Sequence, residues 1–131
     1  MNEFNLLIIY LMAIQGKAKD IHYTCSGANF YGNHLFADRI ADGIDDFIDQ
    51  IKETCLLGHG NKPLFASEYY AQAAEKTDNN NTFASLLELI IDCLAHIEQM
   101  KNLSRGDSQL LDSIAGKLQN DKGLLEIMLG E

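Results

Sequence analysis

Hydrophobic residues recur at intervals of three and four along most of this chain, which is the spacing that lines one face of an α-helix. The stretch from Ala28 to Leu57 shows this most clearly, and we predict that it forms one long helix. Its apolar stripe consists of Phe36, Ile40, Ile44, Phe47, Ile48 and Ile51. On nearly the opposite side lie His34, Asp38, Asp42, Asp45, Asp49 and Glu53. One face is therefore expected to pack on a core, and the other presents potential ligands away from it.

The same spacing predicts three more long helices and one short helix. These run from Glu3 to Tyr23 or Cys25, from Leu64 to Ala74 (the short helix), from Phe83 to about Leu103, and from Asp107 or Ser108 to the C-terminus. The connection between the second and third long helices is long enough for those two helices to run parallel. We therefore predict an all-α fold, a four-helix bundle with a short helix in this crossover, as a single domain over residues 1–131.

Composition and cysteine content narrow the class of protein. The 131 residues are 47% hydrophobic and 22% charged, as in soluble globular domains. Three cysteines at spacings that match no zinc motif favour a reducing compartment, and we expect a cytoplasmic protein. The apolar run from Leu6 to Ile14 is too short to cross a bilayer and follows Glu3 instead of a positive charge, so we predict a buried helix and no signal peptide.

The charge balance argues against a polyanionic partner. Nineteen acidic and ten basic residues give a formal net charge of -9. No Lys-rich or Arg-rich tail stands at either end of the sequence. We therefore expect neither DNA binding nor membrane association.

Five polar residues have the spacing of a metal site. His34 and Asp38 are four residues apart, as are Asp49 and Glu53, so each pair stacks on one helical face. His22 lies on the preceding helix. Two imidazoles and three carboxylates suit iron(II), manganese or zinc. We take these five residues as the candidate metal ligands.

One metal ion cannot contact both pairs on a single straight helix. The midpoints of the pairs 34/38 and 49/53 are fifteen residues apart, which is about 22 Å along an α-helix. If two copies of the helix cross antiparallel near Gly43, the first pair of one chain faces the second pair of the other. Two equivalent sites then form at a two-fold interface.

The complete string is His22-x(11)-His34-x(3)-Asp38-x(10)-Asp49-x(3)-Glu53, which resembles the ferroxidase signature of the Dps proteins, the bacterial mini-ferritins. The segment Gly27-Ala28-Asn29-Phe30 also resembles the Gly-x-Asn-Phe turn of that family. Asp121-Lys122 and the leucines that follow resemble its C-terminal helix more loosely.

The resemblance implies a ferritin-like bundle that assembles as a hollow dodecamer from two-fold dimers. It further implies iron(II) oxidation with hydrogen peroxide, storage of ferric mineral in the cavity and protection against oxidative damage. His22, His34 and Asp38 of one subunit would act with Asp49 and Glu53 of its two-fold mate. Zinc or manganese would be possible substitutes for iron.

Departures from the family pattern leave a second hypothesis open. Tyr23 stands where the family commonly has Trp, and the flexible basic arm that many members use on DNA is missing. The alternative is a catalytically silent ferritin-like helical assembly protein with a structural metal such as zinc at the subunit interface. Asp107 and Asp112, near the start of the last helix, are candidates for an ion entry path like the acidic three-fold pores of the family.

Overall fold

The computed structural model describes residues 1–130, and within that range every regular element is helical. The α-helices are α1 (Glu3–Thr24), α2 (Phe30–Ala41), α3 (Ile44–Gln50), α4 (Ala66–Lys76), α5 (Phe83–Gln99) and α6 (Arg105–Leu129). A π-helical segment, Ile51–Leu56, continues α3 and ends in a short 3₁₀ turn, Leu57–His59. The prediction of an all-α fold is confirmed.

Helix α1 is the central element because it packs against α2, α4 and α5. Its first half is apolar on nearly every face, and Leu7, Ile8, Ile9 and Leu11 are fully buried. The Asn2 side chain caps the helix by accepting a hydrogen bond from the Phe4 amide at 2.7 Å. The predicted extent of this helix is confirmed.

No helix within residues 1–130 has the length and apolar content needed to cross a bilayer.

The prediction of one continuous helix from Ala28 to Leu57 is wrong. Helix α2 ends at Ala41, and Gly43 takes a left-handed conformation with φ of 81° before α3 begins. Glycine adopts this conformation without the steric cost that a Cβ imposes. Lys117 of α6 donates to the Ile40 carbonyl at 3.0 Å, which satisfies an acceptor that the interrupted helix leaves free. Ile40 and Ile44 are both fully buried, so the apolar stripe runs through the break unchanged.

The crossover between the π-helical segment and α5 contains α4, as predicted, although α4 begins at Ala66 and not at Leu64. The buried Lys17 ammonium of α1 holds the second part of this connection. It donates to the Asp78 carboxylate and to the Asn80 carbonyl, each at 2.7 Å. Thr82 then caps α5, because its hydroxyl accepts a hydrogen bond from the Ser85 amide at 3.2 Å.

The boundary between α5 and α6 lies earlier than predicted. Helix α5 ends at Gln99, and α6 begins at Arg105 with Ser104 as its cap. The Ser104 hydroxyl accepts from the Asp107 amide at 3.2 Å. Asp107, which we expected near the start of this helix as a candidate for an ion entry path, lies within its first turn and is only 3% exposed. Helices α5 and α6 pack against each other and complete the core around α1.

Candidate metal centre

The fold brings His22 and His34 into direct contact. His22 lies in the last turn of α1, and His34 lies in the second turn of α2 after a short connection. The two imidazole rings are stacked with centroids 3.6 Å apart and planes 16° from parallel. The predicted pairing of these histidines from neighbouring helices is thus present within one protomer.

Two backbone hydrogen bonds fix both rings. Nδ1 of His22 lies 2.7 Å from the His34 carbonyl oxygen, and Nδ1 of His34 lies 2.6 Å from the His22 carbonyl oxygen. Because a carbonyl oxygen can only accept, each Nδ1 must carry the proton. In the neutral ring this leaves the lone pair on Nε2, the form in which histidine binds a metal ion. The contact therefore selects the tautomer needed for metal binding.

Asp38 follows His34 by one helical turn and is engaged by a cation of the protein itself. The Lys19 ammonium donates to Asp38 Oδ1 at 2.8 Å, and both side chains are about half exposed. The hydrogen bond from Lys19 lowers the pKa of the Asp38 carboxyl below its ordinary value, with a smaller contribution from the charge of Lys19. The same hydrogen bond raises the pKa of Lys19. Asp38 is thus kept ionised at the edge of the histidine pair.

Asp49 and Glu53 lie beyond the break, on α3 and on the π-helical segment respectively. Both side chains are exposed, and neither makes a side-chain hydrogen bond or ion pair within residues 1–130. Asp49 borders an open cavity of about 530 Å³ between α1, α3 and α4, which Lys19 and Lys52 also line. These two carboxylates are therefore accessible to a partner, and within residues 1–130 no hydrogen bond or ion pair engages them.

No three His, Cys, Asp or Glu side chains in residues 1–130 come together closely enough to hold a metal ion. The fold pairs His22 with His34 and brings Asp38 beside them, but it leaves Asp49 and Glu53 separate. The five predicted ligands do not make a complete metal site in a single protomer. Their completion by a second copy stays a prediction.

Exposed apolar side chains surround the histidine pair. Phe30 stacks on His34 with ring centroids 5.1 Å apart, and Tyr23 meets His22 edge to face at 4.7 Å. Tyr31 is 70% exposed on the same helix as His34. Patches of this kind on a soluble protein are typical of surfaces that another macromolecule covers.

The other polar candidates have structural partners. His96 lies 2.9 Å from the Glu3 carbonyl through Nε2, and its ring lies against Tyr10. Asp107 is buried and bonded to His59, whereas Asp112 is exposed on α6. Asp107 and Asp112 therefore do not share an exposed surface in this protomer, contrary to the expectation of a common ion path.

Lys19 is the participant that the sequence interpretation missed. It lies three residues before His22 and so on nearly the same face of α1. That spacing was available in the sequence. The contact with Asp38 also depends on how α1 and α2 pack, which the spacing does not encode.

Comparison with protein-family models finds no match to this chain, and comparison with curated proteins finds no significant match either.

Proposed function

We propose that this protein is a Dps-type mini-ferritin, a ferroxidase that oxidises iron(II) with hydrogen peroxide and stores the ferric product inside a hollow dodecamer. Iron is the substrate and the stored cargo. The observation that carries the proposal is the His22–His34 contact, in which two backbone carbonyls hold both rings with Nε2 free for a metal ion.

The helical architecture supports this proposal at a coarser level. Helix α1, the interrupted second helix, α5 and α6 are the long elements, and α4 lies in the long crossover. A ferritin-like bundle with one crossover connection would have its helices in this order, which supports the proposal.

The missing ligands support a site shared by two subunits. Each protomer contributes one rigid histidine pair with Asp38, and separately the unpaired carboxylates of Asp49 and Glu53. In a two-fold dimer, the histidine half of each copy faces the carboxylate half of the other copy. Two incomplete half-sites per protomer thus give two complete sites per dimer. The exposed Tyr23 and Tyr31 beside the histidines would be covered in the same interface.

The chemistry follows from the ligand types. Neutral imidazoles bind iron(II) without adding charge, and the carboxylates stabilise the higher charge of iron(III). Each hydrogen peroxide takes one electron from each of two iron(II) ions and, with two protons, becomes two waters. Lys19 holds Asp38 ionised until the metal ion arrives, and iron(II) then replaces the ammonium as the cation beside that carboxylate.

The net negative charge of the chain favours binding of cations over binding of DNA. Its formal net charge is -9. The acidic residues Asp42, Asp45 and Asp49 lie exposed along the segment that leads past the break. Such a surface attracts iron(II) and repels a nucleic acid backbone.

The decisive experiment mixes two inactive variants. Homo-oligomers of His34→Ala and of Asp49→Ala should each lose peroxide-dependent iron(II) oxidation. When the two variants are co-expressed in equal amounts, half of the two-fold dimers are mixed, and each mixed dimer has one intact site. Activity should therefore return to roughly a quarter of the wild-type rate. A co-expression of His34→Ala with His22→Ala is the matched control, because both variants damage the same half and no intact site can form.

Native mass measurement completes the test of the proposal. A dodecamer whose mass increases on loading with iron(II) and peroxide is expected. Mixed oligomers as inactive as either parent would contradict a shared site, and a monomer that takes up no metal would contradict the whole proposal.

The Lys19–Asp38 ion pair favours a second candidate function, because it engages one of the proposed ligands. In a catalytically silent helical assembly, the ion pair would remain closed and zinc would serve only to hold the interface. Stoichiometric zinc binding with no iron oxidation would favour this alternative over the ferroxidase.

A further inference from the structure

A second polar cavity, of about 440 Å³, lies at one end of the helical assembly, away from the histidine pair. It is formed by the start of α1, the turn that follows the π-helical segment, and the loop between α5 and α6. Three asparagines, Asn2, Asn61 and Asn102, contribute to its lining together with the apolar side chains of Phe4 and Leu103. The proposed iron chemistry uses none of these residues.

Asp107 lies in the wall of this cavity with an incomplete set of hydrogen bonds. It is 3% exposed, and its Oδ2 lies 2.8 Å from His59 Nε2, which donates to it. Its Oδ1 is shielded from solvent and has no hydrogen-bond partner, the only buried side-chain nitrogen or oxygen in residues 1–130 of which this is true. An ionised carboxylate accepts several hydrogen bonds, so Asp107 lacks donors.

The neighbouring Cys55 does not supply the hydrogen-bond donor that Asp107 lacks. Its thiol is buried, and burial together with the nearby Asp107 carboxylate raises the pKa of this thiol to about 12. At neutral pH the thiol therefore stays protonated and is at most a weak donor. Asp107 remains a buried carboxylate in need of a stronger donor.

The His59 side chain lies between this carboxylate and solvent. Its side chain is 43% exposed, whereas that of Asp107 is 5% exposed. His59 stands in a single 3₁₀ turn that ends at Gly60, whose φ is 78°. Displacement of this ring would leave the Asp107 carboxylate facing the cavity, which both residues line.

We propose that this cavity binds a small organic cation with a primary ammonium group, which takes the place of the His59 ring on Asp107. An ammonium offers three donors and no acceptor, which suits a carboxylate together with asparagine side-chain oxygens. Phe4 and Leu103 offer apolar surface for the alkyl part of the ligand.

A bound metal ion fits this cavity less well than an organic cation. His59 and Asp107 have no third His, Cys, Asp or Glu side chain, within residues 1–130, placed to complete a metal site with them. The volume of about 440 Å³ also exceeds what a single ion fills. The net charge of -9 favours cations of either kind, so size and ligand number decide between them.

Isothermal titration calorimetry with 1,4-diaminobutane tests the proposal, with 1,4-butanediol as the matched neutral probe. The diamine should bind and the diol should not. Asp107→Asn should weaken diamine binding by about tenfold or more, because it removes the charge from the hydrogen bond. Asp112→Asn, an exposed carboxylate on the same helix, and His34→Ala, in the metal centre, should leave the affinity unchanged.

His59→Ala provides a second, independent result. Because it removes the group that competes for Asp107, it should strengthen diamine binding. Circular dichroism spectra that match the wild type would show that each variant folds.

Three outcomes would overturn the proposal. These are equal diamine affinity in Asp107→Asn and wild type, weaker binding in a folded His59→Ala, and zinc chloride binding at Asp107 where the diamine does not bind. Since none of these measurements involves iron oxidation, failure here is distinct from failure of the ferroxidase proposal.

Discussion

The two parts of the interrupted second helix carry the same kinds of residue and are supported differently by the fold. In α2, His34 is held by the His22 carbonyl and Asp38 by Lys19. In the segment after the break, Asp49 and Glu53 extend from the surface without a side-chain partner in residues 1–130. A histidine can be oriented through its second nitrogen before any metal arrives, whereas an exposed carboxylate is oriented only by what it binds. The side chains of the first part are therefore already oriented by the fold, whereas those of the second part are free to be oriented by a partner.

Thiol reactivity should show the largest difference between the surroundings of the histidine pair and those of the segment after the break. Cys25, beside the histidine pair, is partly exposed, whereas Cys55 in the π-helical segment and Cys93 in α5 are buried with thiol pKa values raised to about 12. At pH 8 only about one such thiol in ten thousand is ionised. Labelling with a disulfide reagent should modify one thiol quickly and the other two about a thousandfold more slowly.

In concentrated urea all three thiols should react at similar rates. Because the buried thiols gain thiolate only as pH approaches 12, raising the pH from 7 to 9 should leave most of the difference in place. Three fast thiols in the native protein would show that the π-helical segment is open.

Removing a histidine should differ in kind from removing a carboxylate. His22→Ala and His34→Ala each remove a proposed metal ligand, one of the two reciprocal hydrogen bonds and the ring stacking, so we expect about a hundredfold slower iron oxidation together with a loss of about 1–2 kcal/mol in the free energy of unfolding. Asp49→Ala and Glu53→Ala should slow oxidation without lowering stability. Stopped-flow oxidation assays and urea denaturation measure the two effects.

Equal destabilisation by the histidine and carboxylate variants would contradict the comparison, since it would mean that the second part is supported as firmly as the first.

Two glycines test the break itself. A Cβ at Gly43 or at Gly32 would meet no atom within 4 Å, but only Gly43 has a positive φ, 81°. Gly43→Ala should therefore destabilise the protein by about 1–2 kcal/mol, because alanine is strained in that conformation. Gly32→Ala, inside α2, should stabilise it by about 0.5–1 kcal/mol. Urea denaturation provides both values.

If Gly43→Ala instead stabilises the protein and increases its helical circular dichroism signal, the second helix is continuous in solution and the break is wrong.

The Lys19–Asp38 ion pair should have the smallest effect, because both side chains are about half exposed. The lowered pKa of Asp38 means that the pair stabilises the fold above the ordinary carboxyl pKa and loses this contribution as pH falls through the lowered value. The raised pKa of Lys19 means that the contribution is lost again as pH rises through that value. Lys19→Met should flatten the acid side of a plot of melting temperature against pH.

Lys62→Met, an exposed lysine with no ion pair in residues 1–130, is the matched control and should leave the plot unchanged. An identical acid limb in Lys19→Met and wild type would remove the ion pair from the description of the site.

Much of the fold and half of the candidate site could be predicted from sequence because they depend on local spacing. Helical periodicity located α1, and the Thr82 cap of α5 joins residues that are three apart in the chain. The positions of His22 and His34 on consecutive helices predicted their pairing. In each case the interacting groups are close in sequence, so the helix geometry alone brings them near.

The break at Gly43 could not be predicted in this way. The apolar stripe keeps its phase from Ile40 to Ile44, so periodicity gives no sign of an interruption. Whether glycine takes a helical or a left-handed φ depends on what stabilises the ends of the two helices. Here that includes Lys117, which reaches the Ile40 carbonyl from α6 and is distant in sequence.

The sequence by itself determined that this is a helical protein with two histidines and three carboxylates at helical spacing, because repeat spacing and side-chain chemistry are properties of the residues. Only the tertiary structure decided that the Lys19 ammonium donates a hydrogen bond to the Asp38 carboxylate and that the Asp107 carboxylate is buried beside His59. Both contacts join side chains from different elements. Their distances follow from how the helices pack, and packing is a property of the whole core.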